Sequence, residues 1–213
     1  MAESHALKEI PFAVQSGKLG IRKQVFLQLE EVTKKNAQPH AIKGICKLLQ
    51  ITLPRYADRK STQIVDNYVK TLVQSQPSSI SYMIKTIADV AETYKNVHST
   101  KAVAHICYAA LSWSCHVAEA IFGGTESGTQ ETQLLLSSQA VLMYSITGAQ
   151  SNFLNRKAFK CLTNLWKKNS KTVEEYIACL KNLPENLSSV VFVGFFGKYL
   201  VEAKLKQSLL NMK

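Results

Sequence analysis

The stretch NRKAFKCLTNLWKKNSKTVEEYIACLKNL, residues 155–183, decides the fold. Its first half places apolar residues at three- and four-residue spacing, at Phe159, Leu162, Leu165 and Trp166. Its second half repeats that spacing with Val173, Tyr176, Ile177 and Leu180. Residues spaced in this way share one face of a helix. The stretch therefore predicts two short helices joined by a break at Asn169-Ser170.

The first of these two helices also carries a row of cations. They lie on the side opposite the apolar residues, at Arg156, Lys157, Lys160, Lys167 and Lys168. A helical hairpin with one apolar side and one basic side is typical of a stacked-repeat protein that docks on an acidic partner.

Helical periodicity continues along the rest of the chain. The predicted helices cover about 2–15, 21–35, 39–53, 58–72, 77–91, 99–122, 130–147, 155–168 and 170–183, with a last segment from Ser188. Pro54 is expected to end or bend the third helix. Asp58 or Ser61 should cap the fourth and Ser99 the sixth. A loop at about 123–129 is expected to be a flexible linker.

These elements predict an all-α chain of antiparallel helix pairs. VVFVGFF, residues 190–196, is the one window that could form a strand, and its surroundings are helical. Short connections favour antiparallel neighbours, and a spacing of roughly 40 residues per pair is typical of HEAT and armadillo arrays. We therefore expect residues 1–213 to form one α-solenoid segment of about five helix pairs. A compact helical bundle is the alternative.

Composition supports a folded protein with a basic surface. The chain of 213 residues is 46% hydrophobic and 19% charged, which argues against disorder. Lys and Arg number 26 against 15 acids, for a net charge of +11. Such an excess favours nucleic acid, a ribosome or an anionic membrane as partner. A generic solubilising surface explains the charge equally well.

The cysteines and the termini indicate an intracellular protein. The five cysteines are odd in number, lack CxxC spacing and lie in apolar helical patterns, as expected of reduced thiols. The N-terminus shows no signal peptide. The run at 190–196 is too short to span a bilayer. We expect a soluble cytoplasmic protein without a membrane partner.

No pattern in the chain predicts an active site, and we expect neither a cofactor nor a metal. The most suggestive polar set lies on the sixth helix, at His105, Ser112, His116 and Glu119. A nucleophile, its base and its orienting acid must converge, whereas these residues spread over roughly 20 Å of one helix. A solvated or inter-repeat polar stripe is the better explanation.

Two acid-free basic windows are the more informative feature. No Asp or Glu occurs in residues 32–57 or in residues 132–173. Their candidate contacts for ribosomal RNA or ribosomal protein are Lys34, Lys35, Lys43, Lys47, Arg156, Lys157, Lys160, Lys167, Lys168 and Lys171. Such phosphate contacts give affinity that depends on salt but not on sequence. Whether the two windows share one face is left open by the pattern.

Three segments resemble a known family. They are AIKGICKLLQITLPRYADR at 41–59, ALSWSCHVAEAIF at 110–122 and KCLTNLWKKNSKTVEEYIACL at 160–180. Their order and spacing resemble the N-terminal region of the general-control translational activator family, over about residues 18–200. That family consists of very large HEAT-repeat proteins that associate with translating and collided ribosomes.

The resemblance implies a non-catalytic scaffold. The family promotes activation of the kinase that phosphorylates the alpha subunit of translation initiation factor two. The kinase and an ABC-type ATPase partner are expected to contact other parts of the full-length protein. This chain would then be an N-terminal fragment of a much longer one. The alternative is a HEAT-type protein-binding adaptor, similar to a transport receptor and unrelated to ribosomes.

Overall fold

The computed structural model describes residues 19–35, 38–56, 59–122 and 130–168. Within these ranges the chain forms helices and no strand. The seven helices are α1 (Leu19–Lys34), α2 (Pro39–Tyr56), α3 (Arg59–Ser75), α4 (Ser79–Tyr94), α5 (Lys101–Phe122), α6 (Gln130–Gly148) and α7 (Asn152–Lys168). The all-α prediction is confirmed.

The helices follow the sequence periodicity closely. Each described helix overlaps the range predicted for it, and no end is displaced by more than three residues. The predicted helix at 2–15, the loop at about 123–129, the second half of the hairpin and the segment from Ser188 lie outside the described residues.

Two predictions at helix ends fail, since Pro54 does not end α2 and Ser99 does not cap α5. Helix α2 continues through Pro54 to Tyr56. Pro54 lies in the last turn, where its missing N–H costs one intrahelical hydrogen bond, and the adjacent Leu53 is buried. At the start of α5 the capping side chain belongs to Thr100 and not to Ser99. The Val103 N–H donates to Thr100 Oγ1 at 3.2 Å.

The helices are arranged in two layers. One layer consists of α1, α3, α5 and α7, each in contact with the next, and the other of α2, α4 and α6 in the same order. Contacts between a helix and the second helix along the chain are what stacked helix pairs produce. Contacts between their C-terminal ends show that the odd-numbered helices run in the same direction. Gln76, just after α3, donates to the Thr33 carbonyl near the end of α1 at 2.7 Å. Lys168 and Glu119 likewise meet near the ends of α7 and α5.

A continuous apolar core lies between the two layers. Its largest fully buried side chains include Trp113 of α5 and Trp166 of α7. Phe26 of α1 packs on Tyr68 of α3 with ring centroids 5.5 Å apart. Helix α5 contacts α3, α4, α6 and α7 and is therefore the central helix of the described residues.

Candidate functional site

Helix α7 has an apolar face and a basic face, as its sequence predicts. Leu162, Leu165 and Trp166 are buried, and Phe159 is partly buried. Its exposed residues follow one stripe at three- and four-residue steps: Phe153, Arg156, Lys160, Asn164, Lys167 and Lys168. This stripe runs for roughly 22 Å at 1.5 Å per residue. The packing of the apolar face against the core is therefore what presents the cations to solvent.

Lys157 is engaged by aromatic rings. Its Nζ lies 4.8 Å from the centroid of Phe153 and 5.6 Å from that of Tyr108 on α5. Ammonium groups within about 6 Å of a ring face are attracted by the ring quadrupole. Lys157 is half-buried as a result. Its charge stays at the surface, but its position is set by the two rings.

Lys168 is paired inside the chain. Its Nζ lies 2.8 Å from Oε1 of Glu119 on α5. The window 132–173 is therefore acid-free along the sequence but not in space. A positive charge partly neutralised in this way contributes less to binding an acidic partner than Lys167, which is exposed and has no ion pair among the described residues.

The N-terminal half of α7 keeps its cations unneutralised. Arg156 is exposed, and its Nε donates to the Asn152 carbonyl of the same helix at 3.2 Å. Lys160, one turn further on, is exposed and forms no ion pair within the ranges described. Burial lowers the pKa of His105 on α5, and the charges of Lys101 and Lys157 lower it further. Lys101 and Lys157 therefore lie close enough to His105 to disfavour a charged imidazole.

The first basic window is split between two elements. Near the end of α1, Lys34 pairs with Glu30 at 2.8 Å, which raises the pKa of Lys34, and Lys35 is exposed. On α2, Lys43 is exposed and Lys47 donates to Gln50 Oε1 at 3.0 Å.

The α2 lysines and the α7 cations lie in opposite layers. Lys47 lines a groove between α2 and α4, together with Val90 and Tyr94. Helix α7 packs in the other layer, against α5. The structure thus brings Arg156, Lys160 and Lys167 into one stripe and separates that stripe from Lys43 and Lys47. Lys171 lies outside the described residues.

The polar stripe of α5 is held by a residue that sequence reasoning missed. Asp66 of α3 accepts a hydrogen bond from Ser112 Oγ at 2.5 Å, and its other oxygen lies 3.0 Å from His116 Nε2. Asp66 is 46 residues from Ser112 along the chain, so no local pattern points to the contact. The one available signal is an acid that interrupts the apolar residues of α3.

This cluster is arranged as a contact between helices and not as a catalytic relay. In a relay the base contacts the nucleophile and the acid orients the base. Here the carboxylate contacts Ser112 with one oxygen and His116 with the other. His105, which belongs to the same stripe, lies near Lys157, and Glu119 pairs with Lys168. Ser112, His116 and Glu119 of the stripe therefore contact side chains of neighbouring helices.

Among the described residues, neither the buried cysteines nor the possible metal ligands form a second functional site, and no helix could cross a membrane. Burial raises the pKa of Cys46 and of Cys107 to about 12, so both remain protonated thiols at neutral pH. Among residues 19–168, where described, no group of three or more His, Cys, Asp or Glu is placed to hold a metal. None of the described helices combines the length and apolar character needed to cross a bilayer.

Comparison with known proteins confirms the resemblance. The chain is 24% identical over 204 residues to the stalled ribosome sensor GCN1 of Homo sapiens. It is 23% identical over 204 residues to the stalled ribosome sensor GCN1 of Mus musculus. Each alignment covers 94% of this chain and 8% of the relative, so the chain spans a small part of the curated proteins it matches. No protein-family model and no solved structure matches the chain.

Proposed function

We propose that this chain is a non-catalytic helical-repeat scaffold that associates with ribosomes. The observation that carries the proposal is the similarity to two stalled ribosome sensors over 94% of the chain. The fold supports it, because the stacked helices offer a long surface and the described helices offer no converging catalytic groups. The protein would act in the cytoplasm, where translating ribosomes are found.

The wider role follows from the resemblance. Association with a stalled ribosome would support activation of the kinase that phosphorylates the alpha subunit of translation initiation factor two. The kinase and the ABC-type ATPase would bind elsewhere on a longer protein, of which this chain is one segment of a HEAT-like solenoid. The 8% coverage of the relatives leaves ample sequence for those contacts.

The proposed docking surface is the exposed α7 stripe. Arg156, Lys160 and Lys167 are the preferred contacts because they are exposed and lack ion-pair partners in the described ranges. Lys157 and Lys168 are secondary contacts, since rings and Glu119 already engage them. Lys171 remains a candidate.

Co-sedimentation of the 213-residue chain with purified ribosomes tests the proposal. We expect the wild type to pellet at low salt and to be released at higher salt, because cation–phosphate contacts are salt-sensitive. The double variant Arg156→Glu/Lys160→Glu should stay in the supernatant. The variant Lys43→Glu/Lys47→Glu reverses two charges at the same four-residue spacing in the other layer. Pelleting like the wild type would confine the docking surface to α7, and a loss of pelleting would add the first basic window to it. A folded wild type that never pellets would refute the proposal for this chain.

A protein-binding adaptor is the second candidate, and one groove favours it. The groove lies between α4 and α6, has a volume of about 760 Å³ and is lined by Leu134 and Val141 among others. Leu134 is 44% exposed and adds an accessible apolar side chain to the lining of this groove. Capture of a protein that survives high salt and is lost in Leu134→Asp would favour this function over ribosome association.

A further inference from the structure

The groove between α2 and α4 has an accessible apolar rim. Ile51 of α2 lines it and is 63% exposed, more than any other large apolar side chain of the described residues. The α4 side of the groove is formed by Val90, Thr93 and Tyr94. Tyr94 is half-buried, so its side chain is accessible as well. Covering these groups with a partner would remove further apolar surface from water, which is the main driving force for association.

The size of the groove suits a side chain and not a small-molecule ligand. Its volume is about 250 Å³, whereas pockets that enclose small molecules measure roughly 300–1,000 Å³. One or two side chains of a protein segment that lies along the helices can fill such a groove. Proteins bind amphipathic segments in this way, with the apolar face of the segment in a furrow of the surface.

The cations beside this groove are not neutralised by acids of the described chain. Lys47 lines the groove, and Lys43 lies one turn earlier on the same helix, about 6 Å away along the axis. Both are exposed, and neither forms an ion pair in the described ranges. The bond from Lys47 to Gln50 joins it to a neutral amide and leaves its charge intact. None of the described lining residues is Asp or Glu.

The neighbouring groove, on the other side of α4, has a different charge. It lies between α4 and α6 and is lined by three acids and two lysines: Asp89, Glu92, Glu131, Lys85 and Lys95. Glu92 pairs with Lys95 at 3.6 Å, whereas Asp89 and Glu131 form no ion pair in the ranges described. The acids of α4 therefore line the second groove, and the first groove contains only positive charge among its described residues. The two grooves should select segments of different charge.

We infer that the α2–α4 groove binds an acidic segment of a partner protein, in which a large apolar side chain is flanked by Asp or Glu. The apolar side chain packs against Ile51 and Tyr94, and the flanking carboxylates contact Lys43 and Lys47. The apolar contact supplies most of the affinity, and the charges select the partner. The inference goes beyond the proposed ribosome association and gives the protein-binding candidate a partner of defined chemistry.

RNA and neutral peptides fit this groove less well. Phosphates would satisfy Lys43 and Lys47, but RNA has no aliphatic side chain to place between Ile51 and Val90. Bases bind proteins by stacking on aromatic or guanidinium planes, and the described lining is mainly aliphatic. A neutral apolar peptide would fill the groove but would leave both lysines without a partner. An acidic amphipathic segment satisfies the lysines and the apolar lining together.

Selection from a random peptide library identifies the preferred charge. Peptides of about 12 residues, long enough for roughly three helical turns, are displayed on phage and selected on the immobilised 213-residue chain. The enriched peptides should combine Asp or Glu with a large aliphatic or aromatic residue. Enrichment of basic or neutral peptides, or no enrichment at all, would overturn the inference.

Fluorescence anisotropy with one enriched peptide, synthesised and labelled, locates the binding site. Ile51→Ala should weaken binding about 5- to 30-fold, the loss typical of a central apolar contact. Ile51→Asp should abolish binding. Leu134→Asp is the matched control, because it places the same acid at an exposed apolar position of the other groove, and it should bind like the wild type. Circular dichroism and urea unfolding of each variant show whether its fold is intact.

The contribution of charge has a separate signature. Lys43→Gln/Lys47→Gln should weaken binding about 2- to 30-fold and remove most of its salt dependence, since each exposed ion pair contributes modestly. Ile51→Ala should leave the salt dependence unchanged. An unaltered salt dependence in the double lysine variant would contradict the assigned role of these cations.

Other results would also overturn the inference. They are equal binding of Ile51→Ala and wild type, and equal competition by polyglutamate or by single-stranded RNA of the same charge. If the chain pellets with ribosomes but selects no acidic peptide, the inference fails and the proposed function stands. If an acidic peptide binds through Ile51 but the chain never pellets, the inference holds and the proposed ribosome association fails.

Discussion

Two helical glycines should respond to alanine in opposite directions. A Cβ at Gly148, the last residue of α6, would lie 2.7 Å from Ser99 Oγ and 3.0 Å from Ser99 Cβ. A Cβ at Gly44, within α2, would meet nothing within 4 Å. The two sites therefore separate the steric effect of a methyl group from its effect on helix propensity.

The expected magnitudes follow from these distances. The Cβ–Cβ contact at Gly148 is roughly 0.5–1 Å shorter than the ~3.5–4.0 Å that carbon atoms prefer. Overpacking of this kind costs about 1–3 kcal/mol, less a fraction of the ~0.5–1 kcal/mol gained when alanine replaces glycine in a helix. We expect Gly148→Ala to destabilise the fold by about 1–2 kcal/mol. Gly44→Ala should stabilise it by about 0.5–1 kcal/mol.

Urea unfolding followed by far-ultraviolet circular dichroism measures both effects. Removing the two obstructing atoms with Ser99→Gly should abolish most of the penalty of Gly148→Ala, with a coupling energy of about 0.5–3 kcal/mol in the double-mutant cycle. If Gly148→Ala stabilises the protein as Gly44→Ala does, α6 does not approach Ser99 and the packing of α5 against α6 described above is wrong.

Three further predictions concern charges and thiols. Glu119→Gln removes the partner of Lys168 and should strengthen ribosome binding, seen as pelleting at higher salt, while changing the free energy of unfolding by less than about 1 kcal/mol. Asp66→Ala leaves two polar side chains of α5 without their acceptor and should destabilise the fold by about 1–3 kcal/mol in urea, whereas an unchanged midpoint would argue against the cluster. Cys46 and Cys107, whose pKa values are raised to about 12, should resist iodoacetamide in the native protein. Since the thiols of the unfolded chain ionise first, stability should fall as the pH rises above about 9, and a pH-independent urea midpoint from pH 8 to 10 would contradict this.

Periodicity alone identified most of the helices and most of the buried face of α7. Burial stabilises a helix only when its apolar residues lie on one side. The spacing of Leu162, Leu165 and Trp166 therefore predicts both the helix and the face that is buried. Local rules were less reliable at helix ends. Thr100 caps α5 although Ser99 precedes it, because Ser99 packs against Gly148 of a different helix.

The partners of the charged side chains could not be predicted from spacing along the sequence. Lys168 belongs to an acid-free window, yet Glu119 lies 2.8 Å away because α5 and α7 are neighbours in one layer. Asp66 contacts α5 for the same reason. The spacing of Phe153 places it on one stripe with Arg156 and Lys160. Its exposure of 46% is known only from the packing of α7.

The sequence by itself determined the all-α character of this protein, the register of its helices and its excess of positive charge. These properties depend on residues close together along the chain, where a period of 3.6 and a local composition suffice. The tertiary structure decided which cations remain unneutralised and which layer displays them. The packing places every second helix side by side, so Lys43 and Arg156 belong to different layers while Asp66 and His116 become partners. Electrostatic interactions depend on distance in space, and only the packing of the helices sets those distances.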